Sequence, residues 1–406
     1  MISVDQALEA VLARFAPLPA VESPILDVLG QVVAEDVRAG FDVPPLTNAA
    51  MDGYAVRAAD VAVASEVAPV ALAVVEDLPA GRCAVHRVEP GTAIRIMTGA
   101  PLPDGADAVV PFELTDEARG ATRRSRVRVF ASIRPGTNIR LAGEDVRRGE
   151  VMLPAGTTIR PAEVGLLATM GRATVPVHRR PRVAILSTGD EVLEPGEPLA
   201  PGKIYDANSF TVAAMVRCAG GVPIRLGVAR DRVDDLIARV ERLDQVDLLV
   251  TSAGVSVGDY DVVKQALTTA GEVTFYQVRM RPGRPLAFGH LRGVPLLGLP
   301  GNPVASAISF ELFGRPAVMR MLGRSSWARQ EITARFDGAI DNYDGRRSFY
   351  RVSVERGPGG FVARLTGPQG SGILTSMVKA DGLMVIPEDR RRVGPGEEVV
   401  VRLLDA

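Results

Sequence analysis

Glycines, hydroxyl residues and carboxylates are concentrated where two short apolar runs of this chain end. The segment TSAGVSVGDYD at 251–261 follows the apolar run VDLLV, and STGDEV at 187–192 follows RVAIL. Small residues leave backbone N–H groups accessible, and consecutive inward-pointing N–H groups bind phosphate or another oxyanion. Carboxylates at the same place supply the hard oxygen ligands that Mg²⁺ prefers. The two segments therefore predict anion binding beside a divalent cation.

The segment 251–261 divides into a part suited to an anion and a part suited to a cation. Asp261 would face the cation. The anion would be held by backbone amides and hydroxyls at four positions, Ser252, Gly254, Ser256 and Gly258. The spacing fits neither a P-loop nor a G-x-G-x-x-G dinucleotide motif. A plain strand-to-helix turn capped by Asp259 is the alternative, and the sequence leaves both open.

Two further segments carry charges suited to a phosphorylated substrate. Asp190 and Glu191 in STGDEV could hold Mg²⁺ beside a substrate phosphate, although a helix start or a solvated loop would use the same residues. VRMRPGRPLAFG places Arg279, Arg281 and Arg284 around a Pro-Gly turn. Planar guanidinium groups capture oxyanions, but three arginines on a loop can equally face solvent.

The elements between 181 and 325 place these segments on one edge of a sheet. Short apolar runs alternate there with helical patterns, which predicts a doubly wound parallel sheet covered on both faces. Loops that follow parallel strands gather at one edge, where ligands bind. The acids expected on that edge are Asp190, Glu191, Asp231, Asp259 and Asp261.

The rest of the chain is predicted to be rich in β-structure. Residues 27–149 read as a β-rich insertion, and residues 327–406 as a small C-terminal β-barrel or sandwich. The segments 1–26 and 150–178 form a linking domain, in which the helical pattern PAEVGLLATMG is expected to pack with the N-terminal helix. The remaining unit is the α/β domain at 179–326.

Composition excludes several classes of protein. The chain has 406 residues, 47% of them hydrophobic, and a net charge of -1, so no global field attracts nucleic acid or an anionic membrane. Two cysteines and three scattered histidines make a soft-ligand metal site improbable. Neither a signal peptide nor an apolar run of about 18 residues is present, so we expect a cytoplasmic protein.

Three segments of the β-rich insertion also combine glycine with an acid or a hydroxyl residue. TNAAMDGYAV carries Asp52, IMTGAPLPDGADAVV carries Thr98, and RLAGEDVRRGE carries Asp145. From their own residues, plain turns are the favoured interpretation.

Nine segments, in this order, resemble the molybdopterin molybdenumtransferase family, which includes the E domain of gephyrin. They are NAAMDGYAV, RIMTGAPLPDGADAVV, NIRLAGEDV, LSTGDEV, YDANSF, TSAGVSVGDYD, MRPGRPLAFG, LPGNPVAS and GSGILTSM. The resemblance therefore covers nearly the whole chain.

The resemblance implies the last step of molybdenum cofactor synthesis. An adenylylated molybdopterin is bound, its anhydride is cleaved with Mg²⁺ and molybdate, and molybdenum enters the dithiolene as AMP leaves. It also implies an elongated homodimer of four-domain subunits, in which the α/β domain of one chain faces the N-terminal domains of the other. The molybdopterin adenylyltransferase and recipient molybdoenzymes are the protein partners that it suggests.

Matched position by position, the family's functional residues fall on identifiable residues here. The catalytic set is Asp52, Thr98, Asp145, Glu191, Asp231 and Asp261. The set that binds pterin, phosphate or molybdate is Arg140, Ser252, Gly254, Ser256, Gly258, Arg281, Arg284, Pro300, Pro303 and Ser371. The metal set is Asp190, Glu191 and Asp261.

The chain departs from the family pattern at three places. Ala253-Gly254 replaces two glycines, Arg281 and Arg284 replace lysines, and Gln277 replaces a basic residue. A non-catalytic scaffold that delivers the cofactor is the alternative function, and AMP release separates the two. The related adenylyltransferase activity is disfavoured by the β-rich insertion and the C-terminal domain.

Overall fold

The computed structural model describes residues 1–120, 125–230, 239, 245–252, 271–357 and 359–404. The α-helices of the described part are α1 (Val4–Leu12), α2 (Pro161–Thr169), α3 (Asn208–Cys218), α4 (Pro303–Ser309), α5 (Arg315–Met321) and α6 (Thr375–Val378). Short 3-10 helices are Ala58–Val61 and Phe112–Leu114, and Phe310–Gly314 is π-helical. None of these helices is long and apolar enough to cross a membrane.

The strands fall into three groups along the chain. Those before residue 180 are β1 (Ala20–Pro24), β2 (Val37–Arg38), β3 (Asn48–Ala49), β4 (Gly53–Val56), β5 (Val70–Leu78), β6 (Thr92–Ile96), β7 (Ala108–Pro111), β8 (Arg126–Val129), β9 (Ile139–Arg140), β10 (Val151–Leu153) and β11 (Thr174–His178). Those of the middle are β12 (Arg182–Thr188), β13 (Val192–Leu193), β14 (Ile204–Tyr205), β15 (Val222–Ala229), β16 (Leu248–Ser252), β17 (Gly271–Gln277), β18 (Met280–Arg281), β19 (Pro285–Leu291) and β20 (Val294–Leu299). The last are β21 (Glu331–Phe336), β22 (Ile340–Asp341), β23 (Arg347–Gly357), β24 (Gly360–Leu365), β25 (Gly382–Ile386), β26 (Arg392–Val393) and β27 (Glu398–Leu403).

The central sheet has the strand order β15-β12-β16-β20-β19-β17. The first four strands are mutually parallel, as the β/α alternation predicts. Strand β12 is apolar on both faces, because Val183 and Ile185 enter one core cluster while Ala184 and Leu186 enter another. A strand buried on both faces reads as a continuous apolar run, and that is the signal in RVAIL.

The central sheet departs from the predicted parallel pairing at one edge. Strands β19 and β17 are antiparallel, and β19 and β20 are joined by the two-residue loop Arg292-Gly293. Both loop residues have positive φ, at 51° and 80°, which is the type I′ geometry that matches the twist of a hairpin. The usual sequence signal for a type I′ turn is Asn-Gly or Asp-Gly, so the Arg-Gly pair did not indicate a hairpin.

The expected pairing of the N-terminal helix with the helix at 161–171 is also wrong. Helix α1 begins with a capping box between Ser3 and Gln6, and its apolar face packs in the core of the α/β unit with Phe313. Helix α2 belongs to a different cluster. Asp5 of α1 binds Arg347 of β23 through two contacts of 2.8 Å, so α1 also bridges to the C-terminal unit.

The segment VASAISFELFGRPAVMRML after LPGNP has the pattern of one long helix, and the structure has that helix but with a π-helical turn inside it. Helices α4 and α5 flank Phe310–Gly314 without a break in the chain. Pro316 has no N–H, so the carbonyl four residues earlier lacks its α-helical donor, and a wider turn accommodates the mismatch.

The two β-rich predictions are confirmed. The insertion contains a five-stranded sheet in the order β7-β4-β6-β5-β8. In the C-terminal unit, β23, β24, β21, β27 and β25 pair in sequence, and β25 pairs again with β23, which closes a five-stranded barrel. Strand β18 of the α/β unit adds to this barrel alongside β23.

Gly53 allows β4 and β7 to approach closely, and its replacement tests that contact. A Cβ at Gly53 would lie 2.0 Å from the carbonyl oxygen of Val110, which is backbone and cannot turn away. We expect Gly53→Ala to destabilise the insertion by about 1–3 kcal/mol through overpacking. A lower urea midpoint for the insertion's unfolding transition would show this.

Gly40→Ala is the matched control, since a Cβ there meets nothing within 4 Å. Equal midpoints for the two variants would contradict the close approach of the strands.

Candidate functional site

A cavity of about 990 Å³, here called the central cavity, lies where the carboxyl edge of the central sheet meets the C-terminal barrel. Loops that follow parallel strands form one wall, and barrel residues around 346–351 and 369–371 form the other. The residues predicted from sequence that line it are Glu191, Ser252, Arg281, Arg284, Pro300, Pro303 and Ser371. The structure therefore brings seven of the predicted residues to one place.

Backbone pairing holds the barrel over the sheet edge. Arg281 in β18 pairs in parallel register with Ser348 of β23. The backbone N–H of Val304, in the first turn of α4, donates to the carbonyl of Ser371 at 3.0 Å. First-turn N–H groups have no partner within their helix. Pro303, at the first position of α4, is pre-set for a helix start and needs no such partner.

Arg351 is a cavity residue that sequence reasoning missed. Its side chain is only 1% exposed, yet among the described residues it has no carboxylate partner. It donates to Ser376 Oγ at 3.0 Å and to the carbonyl of Gly370 at 3.2 Å. Burial lowers the pKa of its guanidinium to about 10. Such a group needs an anion, because a buried charge without a counter-charge is costly.

The alternation of β23 could have revealed Arg351. In SFYRVSV, Phe349 and Arg351 stand two residues apart and therefore share a face of the strand. Phe349 is a core residue at 1% exposure. A charged residue at a core position of an amphipathic strand indicates either a buried ion pair or a ligand.

The Pro-Gly turn presents two more guanidinium groups to the cavity. Arg284 Nη2 donates to Gln277 Oε1 at 2.7 Å, so Gln277 orients Arg284. Arg281 is 57% exposed and lies 3.8 Å from Asp344. At that distance the carboxylate only partly offsets its charge. The wall formed by the turn and the barrel is therefore cationic.

Of the acid pair Asp190 and Glu191, only Glu191 lines the central cavity. Glu191 lines the cavity, and its carboxylate crosses over Gly189, where a Cβ would lie 2.6 Å from Oε2. Asp190 is not a lining residue, and its backbone carbonyl accepts a hydrogen bond from Lys203 Nζ at 2.5 Å. The described part of the chain contains no group of three or more His, Cys, Asp or Glu side chains placed to hold a metal.

Four other predicted residues lie in the insertion, away from the central cavity of the same chain. We call Asp52, Thr98, Arg140 and Asp145 the insertion cluster. Backbone hydrogen bonds unite their segments: β3 pairs with β9, Gly99 N donates to the carbonyl of Ala49, and Asp145 N donates to that of Val43. These residues are distant in sequence but share one surface of the insertion.

Asp52 is held as a carboxylate by Thr98. Its Oδ1 accepts from both the backbone N and the Oγ1 of Thr98, each at 2.7 Å. These hydrogen bonds, the backbone one first, lower the pKa of Asp52 below its ordinary value. Because the side chain is exposed, a bound ligand could reach the carboxylate.

Five predicted site residues lie outside the described residues. They are Asp231, Gly254, Ser256, Gly258 and Asp261.

Replacing Thr98 tests the origin of the Asp52 pKa. Thr98→Val removes the hydroxyl and keeps the backbone N–H, so the pKa of Asp52 should rise part of the way to its ordinary value. Carboxyl ¹³C titration of aspartate-labelled protein measures it. Since a lowered folded pKa adds stability that is lost as pH falls through that pKa, the variant should lose this contribution at a higher pH in the acid range. An unchanged Asp52 titration would contradict the assignment.

Comparison with known proteins agrees with this architecture. Three family models match in order: the MoeA N-terminal region (domain I and II) at 2–171, a probable molybdopterin binding domain at 184–320, and the MoeA C-terminal region (domain IV) at 333–404. Molybdopterin molybdenumtransferase 2 of Mycobacterium tuberculosis is 40% identical over 99% of both chains. The molybdopterin molybdenumtransferase of Haemophilus influenzae is 34% identical over 99% of this chain and 98% of its own.

Solved structures give the same result. Two crystal structures of the molybdopterin biosynthesis protein moeA from Pyrococcus horikoshii superpose with TM-scores of 0.85 and 0.83, at 34% and 31% identity, over 100% of both chains. With the full-length relatives, these matches show that the chain belongs to the molybdopterin molybdenumtransferase family.

Proposed function

We propose that this protein inserts molybdenum from molybdate into the dithiolene of adenylylated molybdopterin and releases AMP. It is a transferase of molybdenum cofactor biosynthesis, with molybdopterin and molybdenum as its substrates. Full-length relatives are named molybdopterin molybdenumtransferase, and the structure contains a cavity whose chemistry suits this reaction. The observation that carries the proposal is the buried, uncompensated Arg351 in a 990 Å³ cavity.

The cationic wall is suited to the oxyanions of this reaction. Arg351 would bind an oxyanion directly because no described carboxylate neutralises it, and Arg281 and Arg284 would add charge at the mouth. Ser371 lies beside them and can donate a hydroxyl hydrogen bond. The substrate itself contributes the two sulfur ligands, which fits a protein whose two cysteines are exposed and line no part of the cavity.

Mg²⁺ is proposed as the metal of anhydride cleavage. Glu191 brings one carboxylate to the cavity, and Mg²⁺ is commonly held by one or two carboxylates together with substrate phosphates and water. Bound there, it would offset charge on the phosphates as the anhydride breaks. Asp190, Asp231 and Asp261 remain proposed further ligands or catalytic acids.

We further propose that the active unit is a homodimer in which the insertion cluster of one subunit faces the central cavity of the other. Asp52 and Thr98 would then act on substrate bound by the partner, joined by Arg140 and Asp145. Large apolar side chains stand exposed near the cluster: Phe41 at 40%, Leu46 at 53%, Met51 at 41% and Leu141 at 62%. Exposed apolar groups gathered in one region are typical of an interaction surface.

The remaining proposals follow the family. The four units would be 1–26 with 150–178, 27–149, 179–326 and 327–406. The protein would act in the cytoplasm, receive its substrate from the molybdopterin adenylyltransferase and pass its product to molybdoenzymes. Pro300 and Pro303 would fix the loop that ends at α4, and Ser256, Gly254 and Gly258 would contact the pterin or its phosphate.

AMP release from adenylylated molybdopterin tests the function. The protein should release AMP only when Mg²⁺ and molybdate are both present. Asp52→Asn should lower the rate by about a hundredfold to ten-thousandfold, the range for loss of a positioned general acid or base. Asp104→Asn, which changes an exposed carboxylate elsewhere in the insertion, should leave it unchanged. Binding of the pterin without AMP release under any condition would identify a non-catalytic scaffold instead.

Mixing two inactive variants tests the shared site. Asp52→Asn and Glu191→Gln damage opposite walls of the proposed site. In a mixed dimer, one site carries both changes and the other carries neither, so a random mixture should recover about a quarter of wild-type activity, because about half the dimers are mixed and each has one intact site of two. Failure of the mixture to recover activity, with subunit exchange shown by mass spectrometry, would place both residues in a site within one chain.

A further inference from the structure

Asp206 is a buried carboxylate at the edge of the central cavity. It lines the cavity, directly follows β14 and is 4% exposed. Oδ1 accepts hydrogen bonds from Ser187 Oγ at 2.8 Å and from the backbone N of Ser209 at 3.0 Å. Oδ2 accepts from Ser209 Oγ. All three described partners donate, as an ionised carboxylate requires.

Arg225 fixes the direction of these hydrogen bonds from the other side. Its Nε donates to Ser209 Oγ at 2.9 Å, and a guanidinium can only donate. Ser209 must therefore give its own proton to Asp206. Arg225 Nη2 also lies 3.6 Å from Asp206 Oδ2, close enough for an ion pair.

The direction of the hydrogen bond between Ser187 and Ser252 is fixed as well. Ser187 Oγ lies 3.1 Å from Ser252 Oγ, and Ser187 has already given its only proton to Asp206. Ser252 must therefore donate to Ser187. Because this is the one side-chain hydrogen bond of Ser252 among the described residues, its Oγ keeps an acceptor position, and Ser252 is one of the residues that line the cavity.

Two neighbouring side chains, Thr188 and Asn208, likewise donate to a backbone carbonyl and keep an acceptor oxygen. Thr188 Oγ1 donates to the carbonyl of Ser252 at 3.4 Å, which leaves its lone pairs available. Asn208 Nδ2 donates to the carbonyl of Gly301 at 2.7 Å, which leaves Oδ1 as an acceptor. Both residues line the cavity. We call Thr188, Asn208 and Ser252 the acceptor wall.

The central cavity is therefore bipolar. The sheet-edge side presents hydrogen-bond acceptors, and the side formed by the Pro-Gly turn and the barrel presents Arg281, Arg284 and Arg351. An oxyanion at the acceptor wall would place its lone pairs against those of the wall, which is unfavourable. A group with N–H donors would instead form hydrogen bonds with the wall. A ligand with a donor-rich ring at one end and oxyanions at the other fits both sides.

We infer that the acceptor wall binds the N–H-bearing edge of the pterin ring, and that Asp206 is the positioning residue that makes Ser252 an acceptor. This inference rests on the proposed function, since it assigns the orientation of that substrate. It reverses the role expected for Ser252 from sequence, which was to donate to an oxyanion.

Binding of two matched ring compounds tests the inference without turnover. 6-Carboxypterin carries an amino donor at ring position 2, and 6-carboxylumazine carries a carbonyl acceptor there. Wild-type protein should bind the pterin about tenfold more tightly by calorimetry, the size of one mismatched hydrogen bond. Ser252→Ala should weaken pterin binding by a similar factor and remove the preference.

Ser187→Ala is the decisive variant. It removes the acceptor that holds the Ser252 proton, so the Ser252 hydroxyl can turn and donate to the ligand. The preference for pterin should fall to about threefold or less because affinity for the lumazine rises, which a merely structural defect would not produce. Ser309→Ala is the control, since Ser309 Oγ is buried in the same unit without a described partner.

The outcomes separate this inference from the proposed function. Pterin preference that depends on Ser187, in a protein that releases no AMP, supports the inference and removes the function. AMP release together with equal affinities, no measurable binding of either ring compound, or an unaltered preference in Ser187→Ala overturns the inference. Competition of Mg²⁺ with the pterin in wild type but not in Ser252→Ala would overturn it too, by making the acceptor wall a cation site.

Discussion

The parallel pairing of β18 with β23 is the contact on which the site depends. Met280 and Arg281 leave the central sheet and add to the barrel, and the Ser371 carbonyl meets the first turn of α4 on the other side of the cavity. Both contacts are backbone hydrogen bonds, so they specify distance and direction independently of side-chain identity. They join the two walls of the cavity, the sheet edge and the barrel.

Charge is arranged locally in a chain that is almost neutral as a whole. The net charge is -1, yet the central cavity places guanidinium groups on one side and oriented acceptors on the other. The insertion cluster adds an ionised Asp52, whose hydrogen bonds from Thr98 oppose protonation. Buried dipoles and charges have a large effect here because a cavity wall screens them less than bulk water does.

Sequence patterns predicted the elements that obey local rules. The apolar run RVAIL lies within β12, because burial on both faces of a strand is visible in a single segment. The hairpin at Arg292-Gly293 and the packing of α1 were not predicted, since the first uses an uncommon turn residue and the second is decided by tertiary contacts. The acid pair Asp190 and Glu191 looked equivalent, but only Glu191 is among the residues that line the cavity.

The sequence predicted which types of residue form the site, but not the direction of their hydrogen bonds. Family resemblance located Ser252 and Ser371 at the cavity, yet a hydroxyl donates or accepts according to its neighbours. The polarity of Ser252 follows from Asp206 and Arg225, which approach from other strands and helices. A sequence records that a serine is present but not which way its proton points.

Burial of Arg351 has a consequence for how long the protein survives in a cell. An anion that binds this guanidinium binds only the folded barrel, so mass action adds RT ln(1 + [L]/Kd) to the free energy of unfolding. At a hundredfold excess over Kd this term is about 2.7 kcal/mol, which is comparable to a large part of a domain's net stability. The supply of oxyanion would then set the amount of folded protein as well as the rate of its reaction.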